Sequence, residues 1–146
     1  MNSLGARALF DEAVGLLDER LLEARGWVVH SRDFPLLDIS FRDPERKELR
    51  LKITCDDWND TPPSVTLCAL DGTELAALPS QRPGSTIFAS PHQHRGGPFI
   101  CMIGSREYHT HGSHVGDHWN NYRAHSDYRL GALLDQFWRG WRSFWP

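Results

Sequence analysis

A chain of 146 residues with a formal net charge of −3, 40% hydrophobic and 24% charged residues, has the size and balance of one globular domain, which excludes wholesale disorder. Its arginines are scattered among carboxylates rather than massed in a stripe, which argues against a nucleic-acid binder, and no apolar run approaches the length of a membrane span. Three cysteines at positions 55, 68 and 101 do not make a disulfide framework, and no basic-then-apolar leader precedes them, so the expected setting is a reducing cytoplasm.

The first expected element is an amphipathic helix capped by Ser3. Leu9, Phe10, Ala13, Val14, Leu17 and Leu21 recur three or four apart on one face, and Gly26 is a natural stop. Strand signals follow: Trp27 to His30, then Leu37, Ile39 and Phe41 alternating with polar residues, then Leu49, Leu51 and Ile53 after a turn at 43–47. Val65 to Leu70 is a further strand, closed by Asp71 and Gly72. Short connections between these runs predict a sequential antiparallel meander.

From Leu78 to Gly97 the pattern dissolves into a long loop of the kind that tends to carry function. Phe99 to Ile103 is an apolar run, and a second irregular stretch from Gly104 to His125 leads to the last helix. Ser126 is its expected cap, with Leu130, Leu133, Leu134, Phe137, Trp138 and Trp141 as the buried stripe. The expected fold is therefore α+β: an N-terminal helix, a four-stranded antiparallel meander, a loop and a C-terminal helix, in one domain over 1–146.

Two departures from average composition point to the second half. Four of the six tryptophans stand from Trp119 onward, and seven of the eight histidines lie between 92 and 125. Within that half, Pro91-His92-Gln93-His94-Arg95-Gly96-Gly97-Pro98-Phe99-Ile100-Cys101-Met102 is a His-containing loop ending in Gly-x-x-Ile-Cys. It follows Asp57-Trp58 and Pro62-Pro63-Ser64-Val65, an aromatic and a Pro-Pro pair at the entry to a strand.

Together with the element order, these two segments resemble a ubiquitin-conjugating enzyme, the UBC-like fold. The resemblance implies that Cys101 carries a ubiquitin-like protein as a thioester and passes it to an amine on a target. It also implies an activating-enzyme-like protein as donor, with a JAB-type peptidase in the same pathway. The shortened form, with one C-terminal helix, is similar to bacterial conjugating-enzyme-like families, some of which belong to antiviral defence operons. Family members carry His-Pro-Asn upstream of the cysteine, and this chain has Ser90-Pro91-His92-Gln93-His94 instead. Gln93 is then a candidate oxyanion donor, as is a histidine downstream of the cysteine, with His111 and His114 the candidates. Asp117 falls where conjugating enzymes place an acidic residue near the attacking amine.

The residues themselves leave alternatives open. A thioester carrier needs a populated thiolate, which His residues and Arg95 near Cys101 are expected to favour. Free cysteines are otherwise small buried apolar residues, the reading taken for Cys55 and Cys68. His109, His111, His114 and His118 have the density of a zinc site, but their spacing fits no standard signature. No cofactor is expected on the leading reading, with zinc as the alternative. Trp119 is expected to anchor its loop onto the final helix, and the Trp138, Trp141 and Trp145 series to belong to the core, with docking of Phe144-Trp145-Pro146 on a partner as the alternative. A non-catalytic binding module of the same fold is the second functional reading.

Overall fold

In the computed structural model, which describes residues 2–146, the N-terminal amphipathic run forms two helices instead of one. Helix α1 spans Ser3–Gly15 and α2 spans Glu19–Arg25. The cap of α1 is Asn2, whose side chain accepts from the Gly5 amide at 2.8 Å, while Ser3 lies inside the helix. The break comes at Leu17 and Asp18. Asp18 caps α2 by accepting from Leu21 N at 2.8 Å, and Arg32 Nη1 donates to the Val14 and Leu17 carbonyls at the break. Gly26, in left-handed conformation, ends α2 as its sequence position predicts.

Four strands follow, β1 (Trp27–Ser31), β2 (Leu36–Phe41), β3 (Leu49–Thr54) and β4 (Ser64–Cys68), in the antiparallel order β1-β2-β3-β4. The register pairs Ile39 with Leu51 and Leu51 with Leu67, so each alternating apolar set shares one face. That face packs with Phe10, Val14, Leu133, Phe137 and Trp141 into a single core. The opposite face of β2 is also covered, by polar pairing. Asp38 is clasped by Arg50 through two bonds of 2.8 and 2.7 Å, and Ser40 meets His30 Nε2 at 2.7 Å. Strand β4 stops at Cys68, two residues short of its expected end, because Ala69 turns back to bond Thr73.

The second half is more structured than its composition indicates. Strands β5 (Phe88–Ala89) and β6 (Phe99–Ile100) form a small hairpin, and a short helix α3 spans Arg106–Thr110 inside the stretch expected to be irregular. Two 3₁₀ turns, Trp119–Asn121 and Ser126–Tyr128, lead to α4 (Leu130–Phe144). Ser126 therefore sits in a turn before the helix, and the capping position is Arg129, with no side-chain cap bond. The expected stripe of α4 is buried except for Trp138, which is half-buried and sandwiched between Arg25 and Arg142.

One tryptophan expectation is corrected and another is borne out. Trp119 is buried, but its Nε1 donates to the Asn59 carbonyl at 2.8 Å and its ring faces Trp58 at 6.2 Å, so it anchors its loop mainly to the 57–61 segment. Trp145 is 3% exposed and packs on Phe88 at 4.9 Å, which places it in the core as the tryptophan series was expected to be. Among the described residues, no helix is long and apolar enough to cross a membrane.

Candidate functional site around Cys101

Cys101 directly follows β6, and its amide is fixed by a 2.6 Å bond to the Ile87 carbonyl beside β5. A tight turn then leads into α3. Ser105 caps α3 through Tyr108 N, and its hydroxyl donates to the Ile100 carbonyl at 2.6 Å, locking the turn onto the hairpin. Cys101 is half-buried, whereas Cys55 and Cys68 are buried as expected. Burial pushes the Cys55 thiol up to about 12.

Burial also pushes the Cys101 thiol up, and this reverses the expectation of a charge-favoured thiolate. The cation expected beside it is engaged elsewhere. Arg95 contacts Glu107 at 3.2 Å and donates to the Val65 carbonyl and the Thr66 hydroxyl.

Glu107 is the residue that sequence reasoning missed. It is 4% exposed, and its carboxylate accepts from Val65 N at 2.6 Å and from Ser64 Oγ at 2.8 Å. With Arg106, which bonds the Pro62 and Pro63 carbonyls, it pins α3 onto the start of β4. The Pro-Pro entry is thus part of the seat of the helix that follows Cys101.

His92 is likewise structural. It is 3% exposed, its Nδ1 accepts from the amides of His94 and Arg95 at 3.2 Å, and its Nε2 meets the Glu107 carbonyl at 2.9 Å. These partners require the tautomer with the proton on Nε2. Gln93 Oε1 accepts from the Gly112 amide, which ties the loop before Cys101 to the loop after α3.

Downstream, Asp117 is the centre of a compact cluster. Tyr108 Oη donates to its Oδ2 at 2.6 Å, Tyr122 Oη donates to its Oδ1 at 2.5 Å, and His109 Nδ1 meets its backbone carbonyl at 2.8 Å. The hydrogen bonds from Tyr108 and then Tyr122 hold the Asp117 carboxyl below its usual range. Burial, followed by the bond to Asp117, raises the Tyr108 phenol, and the Cys101 charge acts on it in the same sense. Asp117 is thus a carboxylate that stays ionised and is unsuited to holding a proton at neutral pH.

The rings of His92 and His111 (5.7 Å) and of His111 and His114 (6.0 Å) neighbour one another, but the histidines do not gather as a ligand set. His109 lies in α3 with Nε2 accepting from Gly104 N at 3.1 Å, and burial lowers its affinity for a proton. His111 stacks on Phe99 at 5.8 Å and bonds Ser113, His114 stacks on Tyr108 at 4.1 Å, and His118 is exposed. Among the described residues, no three His, Cys, Asp or Glu side chains are grouped to hold a metal ion. The alternative zinc set of His109, His111, His114 and His118 is therefore not assembled, because aromatic stacking and backbone bonds take up the rings. What the arrangement presents is a half-buried thiol at the end of the hairpin and, after α3, a Tyr–Asp–Tyr cluster, with the loops on either side of the thiol joined through Gln93.

No curated protein matches this chain. Over residues 84–142, from just before β5 to the last turns of α4, the chain is similar to the family model described as Y4jH-like, of the Y4jH family, a small family of unknown function.

Proposed function

We propose that the chain is a UBC-like transferase that carries a ubiquitin-like protein on Cys101. The observation that carries this reading is the position of Cys101. It is the half-exposed residue that ends the hairpin, reached after two helices and a four-stranded antiparallel meander and followed by a short helix.

In the proposed reaction, the Cys101 thiol attacks the thioester carbonyl of a charged activating-enzyme-like protein. The new thioester forms, the donor's thiol departs, and the proton lost by Cys101 passes to that thiol. A target amine then attacks the Cys101 thioester, an amide forms as the C–S bond breaks, and the proton lost by the amine passes to the departing sulfur, which leaves as the Cys101 thiol. Asp117, ionised and bonded to two tyrosines, would orient the incoming ammonium or amine electrostatically instead of accepting its proton. Gln93 holds Gly112 in the loop after α3, His111 stacks on Phe99 of β6, and His114 lies against Tyr108. The raised thiol means that charging requires a base or cation supplied by the donor protein.

A second reading, a non-catalytic binding module of the same fold, is favoured by that same burial-raised thiol. A charging assay separates the two. The chain is incubated with an activating-enzyme-like protein, its ubiquitin-like protein and ATP, and run on gels with and without reductant. A reductant-sensitive adduct that persists in Cys55→Ala and is lost in Cys101→Ala is expected. No adduct, with the activating protein itself demonstrably charged, sinks the transferase reading in favour of the binding module.

A further inference from the structure

Away from Cys101, a groove of about 690 Å³ is lined by Leu70, Leu75, Leu78 and Trp145 together with Arg46 and Lys47. Leu70 is 51% exposed, so the groove presents an apolar side chain to solvent. Arg46 also lines a second cleft of about 390 Å³, shared with Arg139, Arg142 and Ser143. The apolar groove therefore continues, through Arg46, into an arginine-lined cleft.

The charge of this surface is the reverse of the chain's. Four cations line the two recesses against one carboxylate, Glu48, and Glu48 is held by Arg42 at 3.0 Å. Arg46 faces Asp43 at 3.3 Å and Arg139 faces Asp135 at 3.0 Å. Among the described residues, neither Lys47 nor Arg142 is paired with a carboxylate, and Arg142 lies on the Trp138 ring at 4.9 Å. A cation in the last turn of α4 is favoured by the helix dipole, which accounts for Arg142. It does not account for Lys47 or for the exposed leucine next to it.

We propose that this continuous surface docks an extended acidic segment of a partner protein. Apolar side chains of the segment cover Leu70 and Leu78, and its carboxylates enter the cleft of Arg139 and Arg142. Charge complementarity selects an acidic partner, and the apolar stretch beside the arginines selects a peptide over a small free anion. The surface shares no residue with the Cys101 site, so its failure and the failure of the transferase reading are separate results.

The test is selection from a phage-displayed random dodecapeptide library, followed by titration of the recovered peptides as synthetic fluorescent probes. Enrichment of Asp and Glu next to Leu or Phe is expected. Binding should weaken at least about tenfold for Leu70→Ser and for Arg142→Glu. Both positions are exposed, and thermal melts verify that each variant folds. The proposal is overturned if no peptide is enriched, if the recovered peptides lack acidic residues, or if serine in place of their apolar residues leaves affinity unchanged. It is also overturned if sedimentation shows that the wild type self-associates through Leu70 and Arg142, since the occupant is then a second copy.

Discussion

Asp117 and its two tyrosines show how a single side chain can set the titration of its neighbours. The Tyr122 phenol is raised chiefly by its bond to the Asp117 carboxylate, whereas Tyr108 is raised first by burial. Asp117→Asn should therefore bring Tyr122 down toward its ordinary value of about 10 while leaving Tyr108 elevated. Tyrosinate absorbance followed through an alkaline titration reads both groups, with Tyr122→Phe identifying the transition that moves. An unchanged titration curve would remove Asp117 from the role of common acceptor. None of this triad was legible as a triad from the sequence. Asp117 stood out by its place in the chain, but Tyr108 and Tyr122 come from α3 and from the end of a 3₁₀ turn, and no periodicity links them. Glu107 was hidden for a related reason: its burial depends on Ser64 and Val65, supplied by a strand far earlier in the chain.

At the level of elements, legibility followed periodicity. Leu37, Ile39 and Phe41, and Leu49, Leu51 and Ile53, alternate cleanly, so the meander could be read with its register implied. Two-residue strands and a five-residue helix are too short to carry a period, and β5, β6 and α3 escape that logic. The helix break at Asp18 was masked because Leu17 and Leu21 continue the apolar spacing across it, although Asp18 is itself a good cap.

Gly104, which joins the Cys101 turn to α3, was also silent. It has a φ of 103°, and a Cβ there would overlap the Cδ2 of Leu133, a fully buried residue of α4. Gly104→Ala should cost about 1–3 kcal/mol, from backbone strain and crowding together. Urea denaturation measures the loss, and combining it with Leu133→Ala should cost less than the sum of the two single changes. Strict additivity would mean that the turn and α4 are not in contact at this point.

For the whole molecule, the titration pattern gives stability a direction in pH. His109 takes up a proton less readily in the folded chain, chiefly because of burial. The unfolded chain therefore binds that proton first as pH falls. Stability associated with neutral His109 is complete above about pH 6.5 and is lost as pH drops through the lower folded value. Asp56, held down first by its bond from Arg106, and Asp117 add a second loss below about pH 4. The urea midpoint should thus decline between about pH 7 and about pH 5, and His109→Gln should flatten that part of the profile. A wild-type midpoint that is constant over this range would contradict the buried, neutral assignment of His109.

The clasp on β4 bears on how copies of this chain meet. At Val65 both the amide and the carbonyl point away from β3, toward what would otherwise be an open strand edge, and they are taken by Glu107 and Arg95. An edge left bare is a template for a strand from another molecule, and from there for aggregation. Here an invading strand would have to displace a buried carboxylate and the guanidinium that neutralises it, leaving the carboxylate without its partner. The charges that seat α3 therefore also act as a gatekeeper, closing the meander to polymerisation on its β4 side for as long as the helix stays in place.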